Sequence, residues 1–287
     1  IFNLGSINID LVYRVPHLPA PGETLASTSL SRGLGGKGAN MSVAVARAGA
    51  RCVHIGAVGS DGDWTVTRLA GYGVCTDHIA NSAEVTGHAI IAVDDGAENT
   101  IILHPGANHA ISETEISLGL EPAGPSDTFL FQNETNAMLT GAKLARTKGL
   151  RIAYAAAPFE AEAVLSVLPL LDLMVLNEVE AEQLQTATGQ NIADLPVENI
   201  VVTLGARGCR RHSGLAVKEF AATAVTPVDT TGAGDTFTGF LVAGLDKGMT
   251  MEAAIALASK AAALQVTRLG AADAIPTLAE LSKAFPD

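Results

Sequence analysis

A chain of 287 residues, 48% hydrophobic and 17% charged, is long enough to bury a full core in one or two domains. Its formal net charge of −12 argues against nucleic acid or an anionic membrane surface as partner, so any anionic ligand must meet local positive sites. No apolar run reaches the ~18 residues of a membrane span. Cys52, Cys75 and Cys209, with no C-x-x-C spacing, read as buried free thiols of a reducing cytoplasm rather than a metal site.

In chain order, residues 1–5 predict a strand and are too short and too little basic for a signal peptide. Asn8 and Asp10 follow it. They can bind hydroxyls, Asn as donor and acceptor and Asp as acceptor, or can simply terminate the strand. Residues 10–31 carry three prolines, a Pro21-Gly22 turn and short alternating strands. The segment Gly33-Leu-Gly-Gly-Lys-Gly-Ala-Asn40 then leads into a predicted helix over 41–49 with Gly49 as its stop. It is not a P-loop, because no Gly-Lys-Ser/Thr ends it. The G-x-G-x-x-G letters fit from Gly33 to Gly38, but no acidic residue follows near Val58, so a dinucleotide fold is a poor match. Glycines such as Gly36 let a small polar ligand approach the backbone, with Lys37 and Asn40 as donors. A tight loop with a solvated lysine fits the same letters.

Short apolar runs at 52–58, 128–131, 151–155, 173–176 and 200–204 have the β-rich, unalternating character of parallel strands buried on both faces. Helix-length segments lie at 134–148, 160–169 and 178–188. This β-α-β order predicts an α/β fold, a mainly parallel sheet with helices on both faces, and ligands past the carboxyl ends of the strands. Residues 88–103 break the rhythm and predict a hairpin turning at Asp94-Asp-Gly96.

Glu134 follows the strand that ends at Asn133. Asn177-Glu-Val-Glu180 ends a strand and opens a helix, where acidic residues also complement the helix dipole. Thr203-Leu-Gly-Ala-Arg-Gly208 follows another strand, and its Arg207 fits a solvated turn residue equally well. Asp229-Thr-Thr-Gly-Ala-Gly-Asp235 runs at once into a predicted helix over 236–245. A small-residue turn opening a helix leaves backbone N–H groups bare in the positive end of the helix dipole, which is a seat for an anion. Asp235 at its mouth suits a base that takes a proton as a phosphoryl group arrives. A helix capped by aspartate accounts for this segment alone equally well. The last long helix, 252–266, is rich in alanine and permits close packing.

Two signatures in one chain are far more specific than either loop. Gly35-Gly-Lys-Gly-Ala-Asn40 with Ser42, Gly49 and Gly59, and then Asp229 to Asp235 with Gly239, resemble the PfkB (ribokinase-like) carbohydrate kinase family nearly end to end. The resemblance implies a single-domain, three-layer α/β/α sandwich over 1–287 with a small β lid built from about 11–34 and 86–104. It implies ATP-dependent phosphorylation of a primary hydroxyl of a small sugar. The matching sugar positions are Asn8, Asp10, Gly36, Lys37, Asn40, Glu134 and Asp235, a set that favours ribose. The nucleotide positions are Asn177, Glu180, Thr203, Gly205, Gly208, Gly234 and Ser259, with Glu180 ordering Mg²⁺ through water. Ser259 departs from the family's usual His or Asn. Gly232, Ala233 and Gly234 would supply the anion-stabilising N–H groups around the base Asp235. Potassium is implied beside them at Asp229, Thr231, Gln265, Arg268 and Gly270, although Ala274 stands where the family often has Ser. A homodimer through the lid is implied as well. Fructokinase, nucleoside kinase and a non-catalytic sugar sensor are the alternatives. An aromatic content of only 4% speaks against a nucleoside clamp, and Asp235 against a sensor.

Overall fold

The computed structural model describes residues 1–96 and 98–286; Ala97 and Asp287 lie outside them. The chain opens with β1 (Phe2–Leu4), β2 (Asn8–Arg14) and β3 (Ser29–Gly35). Helix α1 (Lys37–Arg47), β4 (Val53–Val58), α2 (Asp63–Gly71) and β5 (Cys75–Asn81) follow, then the hairpin β6 (Gly87–Val93) and β7 (Asn99–His104). The second half alternates α3 (Glu113–Gly119), β8 (Thr128–Gln132), α4 (Met138–Thr147), β9 (Arg151–Ala155), α5 (Ala161–Val167), β10 (Leu173–Asn177), α6 (Glu178–Thr188) and β11 (Asn199–Thr203). A second hairpin, β12 (Cys209–Ser213) and β13 (Ala216–Phe220), precedes α7 (Ala233–Asp246), α8 (Met251–Gln265) and α9 (Leu278–Ala284).

The main sheet runs β13-β12-β11-β10-β9-β8-β1-β4-β5. It is parallel from β11 to β5, and only β12 and β13 are antiparallel. Successive side chains of a strand point to opposite faces, and here the two faces differ in size. Phe129, Phe131, Tyr154 and Met174 join the core on one face, under α3 to α6. Ala153, Ala155, Val175 and Val201 join the other, under α1, α7 and α8. Burying each of the large side chains contributes about 1.5–3 kcal/mol. A Cβ on Gly239 of α7 would overlap Ala44 and come within 2.8 Å of the Met41 carbonyl, so α1 and α7 touch backbone to backbone.

The sequence expectations hold for the layers and shift at several boundaries. Helix α1 starts earlier than expected, at Lys37, so the glycine loop supplies its first turn. Helix α4 starts later, at Met138, because residues 133–137 turn and Ala137 takes a left-handed conformation (φ 58°). Helix α5 stops at Val167, where Pro169 forces a 3₁₀ turn. Cys75 is half-buried rather than buried.

Strands β3-β2-β6-β7 form a separate four-stranded sheet. One face leans on the body. Arg32 of β3 lies 4.6 Å from the ring centroid of Trp64 in α2 and donates to the Asp61 carbonyl at 3.0 Å. Ile102 (62% exposed), Leu103 (57%), Leu30 (55%) and Ile101 (52%) leave apolar surface uncovered on this sheet. Among the described residues no helix is long and apolar enough to cross a membrane.

Candidate active site

Three helices aim their N-termini at one cavity of about 210 Å³ past the carboxyl ends of β9, β10 and β11. Lys37 comes from α1, Asn177 and Glu180 from the start of α6, and Gly232 to Asp235 from the start of α7. Helix α7 has no side-chain cap, and Gly232, in a left-handed conformation (φ 74°), turns the chain into it. The Ala233 N–H is directed back to the Thr230 carbonyl at 3.2 Å. The α7 terminus therefore brings positive potential to the cavity with no side chain hydrogen-bonded to its first N–H groups.

Asp235 is buried in that first turn. Asn40 donates to it at 2.8 Å, a contact that exists because α1 and α7 pack so closely. Burial pushes its carboxyl up to about 6, with Lys37 and Asn40 pulling the other way. Lys37 is held above the ordinary lysine value, first by Asp235 and also by Glu134 and Glu180, against the effect of burial. The ammonium is thus the positive centre among three carboxylates.

On the side of the four-stranded sheet, Asn8 and Asp10 share one face of β2, two residues apart. Burial, and then Glu134, raise the Asp10 carboxyl to about 6. A Cβ at Gly35, paired with Asn8 on the neighbouring strand, would overlap this carboxylate and push it aside. Glu134 sits in the turn before α4 and accepts from the Lys37 N–H at 2.9 Å and from Ser6 at 2.5 Å. Asn8 accepts from Asn108 at 2.7 Å. Ser6 and Asn108 were not singled out by sequence. Ser6 stands in the short turn between β1 and β2, and Asn108 in a 3₁₀ turn after Pro105. Neither has a local pattern, and only the fold brings them in.

Asn177 and Glu180 form a reciprocal capping box: Glu180 N–H donates to Asn177 Oδ1 at 2.9 Å and Asn177 N–H to Glu180 Oε2 at 2.7 Å. The helix-capping reading is thus realised, and both residues also line the cavity. Burial raises the Glu180 carboxyl, opposed by that N–H and by Lys37. Thr203 lines the same cavity, whose lining stops short of Gly205, Gly208 and Ser259. Arg207 pairs with exposed Glu178 at 2.5 Å.

Asp229 lies just outside the cavity lining. Its Oδ1 accepts from Thr231 N–H and Oγ1 at 2.9 and 2.7 Å, and its Oδ2 from Gly270 N–H at 2.9 Å. Against the upward push of burial, these donors hold its carboxyl below the ordinary value. The buried Gln265 amide donates to the Thr231 carbonyl at 2.7 Å. Arg268 N–H donates to the Gln265 carbonyl at 2.9 Å, while its guanidinium turns away to Glu280. The Thr231 and Gln265 carbonyls each keep a second lone pair, so this group fits a monovalent cation held by backbone oxygens. Glu180 has one carboxylate oxygen outside the capping box, which fits a divalent cation reached through water. No cluster of three His, Cys, Asp or Glu side chains that could hold a metal occurs among the described residues.

Comparison with known proteins agrees with this architecture. Residues 1–278 match the profile described as pfkB family carbohydrate kinase. The chain is 37% identical to a ribokinase of Haemophilus influenzae, across 96% of this chain and 95% of that protein. A ribokinase structure from Thermotoga maritima superposes with a TM-score of 0.89 at 31% identity, covering 98% of this chain and 97% of that one. An Arabidopsis thaliana ribokinase complexed with ribose and ATP superposes with a TM-score of 0.85 at 27% identity, again covering 98% and 97%.

Proposed function

The chain belongs to the pfkB family of carbohydrate kinases, and on that premise we propose that it transfers the γ-phosphoryl group of ATP to the primary hydroxyl of D-ribose, giving ribose 5-phosphate. It is a phosphotransferase with an alcohol acceptor. One observation carries the reading: Asp235, held by Asn40 and facing Lys37, stands at the uncapped N-terminus of α7. That arrangement joins a proton acceptor to an anion seat. Ribokinases similar over the whole chain, one of them bound to ribose and ATP, support the choice of substrates.

In this reading the sugar hydroxyls meet Asn8, Asp10, Gly36, Lys37, Asn40 and Glu134, a ring in which each hydroxyl finds an acceptor. An unpaired buried hydroxyl would cost about 1–3 kcal/mol. Asp235 accepts the proton of the attacking hydroxyl, and Lys37 stabilises the charge that results. The N–H groups of Gly232 and Gly234, with the Ala233 N–H shared between the Thr230 carbonyl and the ligand, meet the transferring phosphoryl group, so stabilisation is mostly electrostatic. The nucleotide lies along Asn177, Thr203, Gly205 and Gly208 toward Ser259. Mg²⁺, reached by Glu180 through water, would neutralise charge on the phosphates. Potassium at the carbonyls of Thr231, Gln265, Arg268 and Gly270, with Asp229, would fix the loop that shapes the anion seat.

The four-stranded sheet serves as the lid of a single domain, over about 11–34 and 86–104, and its uncovered apolar residues support a homodimer formed lid to lid. Three free thiols support a reducing, cytoplasmic setting. A coupled assay over ribose, fructose and nucleosides tests the function. We expect kcat/KM to be highest for ribose with ATP; a nucleoside or fructose preferred over ribose would overturn the assignment.

A further inference from the structure

Beneath the glycine loop lies a buried polar chain that the chemistry above does not use. Asn3, Ser42 and His54 are fully buried, and Gln132 nearly so. Gln132 donates to Asn3 Oδ1 at 2.9 Å. Asn3 Nδ2 donates to the Gly38 carbonyl and to Ser42 Oγ, both at 2.8 Å. Ser42 Oγ lies 2.8 Å from His54 Nδ1, and His54 Nε2 lies 3.0 Å from the Gly5 carbonyl.

The partners fix every proton. A carbonyl only accepts, so His54 carries its hydrogen on Nε2 and donates to Gly5. Nδ1 is then bare and accepts from the Ser42 hydroxyl, whose oxygen accepts from Asn3. The chain has one direction, Asn3 to Ser42 to His54 to Gly5, and a second proton on the imidazole would break it. Burial agrees, pushing the His54 imidazole down to about 4.

Both ends of this chain touch the site. Gly38 belongs to the glycine loop, and Gly5 precedes Ser6, which donates to Glu134 and accepts from Gly38 N–H at 3.1 Å. Gly5 and Gly38 are packed so closely that a Cβ on Gly5 would stand 2.5 Å from the Gly38 Cα. A small shift of the Gly5 peptide is therefore passed to Lys37 and Glu134. Four buried polar side chains in the core at this one place are costly unless paired; all their polar atoms but Gln132 Oε1 find partners, and the pairing fixes one register of strand against loop.

We propose that His54 is a positioning residue for sugar binding, holding the Gly5–Ser6 turn against the glycine loop through Nε2–H and the Ser42-linked Nδ1. The proposal rests on the sugar-kinase reading of the pocket, and its test separates the two. If wild-type protein phosphorylates no sugar, the reading fails. His54 is then judged by nitrogen-15 NMR of the histidines alone, which must show a neutral Nε2–H imidazole that stays so from pH 8 to pH 5.

With an active enzyme, His54→Leu raises the KM for ribose about 10- to 100-fold, with kcat and the KM for ATP within about threefold. His54→Gln, whose amide can occupy the Nε2 position and donate to Gly5, brings the ribose KM back to within about threefold of wild type. A histidine that only fills the core would lower the melting temperature and leave these constants alone. An unchanged ribose KM in folded His54→Leu, a proportional rise in both KM values, a Gln variant as weak as Leu, or an Nδ1–H or charged imidazole overturns the proposal. Should His54→Leu fail to fold, Ser42→Ala removes the donor to Nδ1 while keeping the ring, and must raise the ribose KM selectively; an unchanged value overturns the proposal.

Discussion

Asp235 places a charge where the fold disfavours one. Its carboxyl titrates at about 6, above the 3.8 of a free aspartate, because burial outweighs Lys37 and Asn40. A carboxyl whose folded pKa is raised costs the folded state stability once it is ionised, and that cost shrinks as pH falls below the folded pKa and is gone below the unfolded one. Asp235→Asn should therefore melt higher than wild type at pH 7, by stability on the order of 1–3 kcal/mol, and lose that advantage below about pH 4. The same variant should lose turnover by about 10²–10⁴-fold. Thermal melts at both pH values and kcat measurements check the pair; a variant that melts lower at pH 7, or keeps full turnover, contradicts the account. Activity of the wild type should decline as pH drops below about 6, where Asp235 and Asp10 take up protons. Lys37 is the first of the groups holding the Asp235 pKa down, so Lys37→Met should move this acid limb to higher pH. A limb that stays in place in the pH profile would dissociate the two residues. Lys37, Asn40 and Asp235 could be picked out in sequence because glycine-rich turns frame them. Ser6, Asn108 and the buried Asn3–His54 chain could not, since single polar residues in a turn, a helix or an apolar strand acquire meaning only from partners 12 to 129 positions away.

Between elements, the contact that matters most is α1 against α7, since it delivers Asn40 to Asp235. Gly239→Ala puts a methyl group into Ala44 and against the Met41 carbonyl. Overpacking of this kind costs about 1–3 kcal/mol and spreads the two helices apart. We expect a lower denaturant midpoint together with reduced kcat; a variant with unchanged stability would mean that α7 slides freely over α1. The alternation of β and α was readable because parallel strands buried on both faces are continuously apolar. Helix α6 matches its expected span because a capping box opens it and Gly189 in a left-handed conformation closes it. The β12–β13 hairpin escaped notice for the opposite reason. Strands reading CRRHS and AVKEF, largely solvent-facing at the sheet edge, carry ion pairs such as Arg210 with Glu219 and no apolar run. The early start of α1 was hidden because glycine letters predict a loop, whereas here the loop's last residues are already helical.

At the scale of the whole molecule, the sheet β3-β2-β6-β7 stands apart from the main sheet and leaves apolar side chains uncovered. Its alternation was legible in 88–103, but which face would remain bare depends on how the sheet leans on the body. A lid-to-lid dimer predicts that light scattering at micromolar concentration gives about twice the 29.4 kDa of one chain. Ile102→Lys, which charges the exposed face, should return it to monomer. A monomeric mass for the wild type, with and without ribose, would remove the dimer. The same sheet touches the body through Arg32, poised over Trp64, and Trp64 is the one tryptophan in the chain. Its indole emission therefore comes from a single place, and a cation resting on the ring perturbs it. If β3 shifts when the sugar arrives, the protein carries its own optical gauge of closure, with no dye attached. Ribose should change the emission in a saturable way, and Arg32→Ala should leave the fluorescence flat across the same titration.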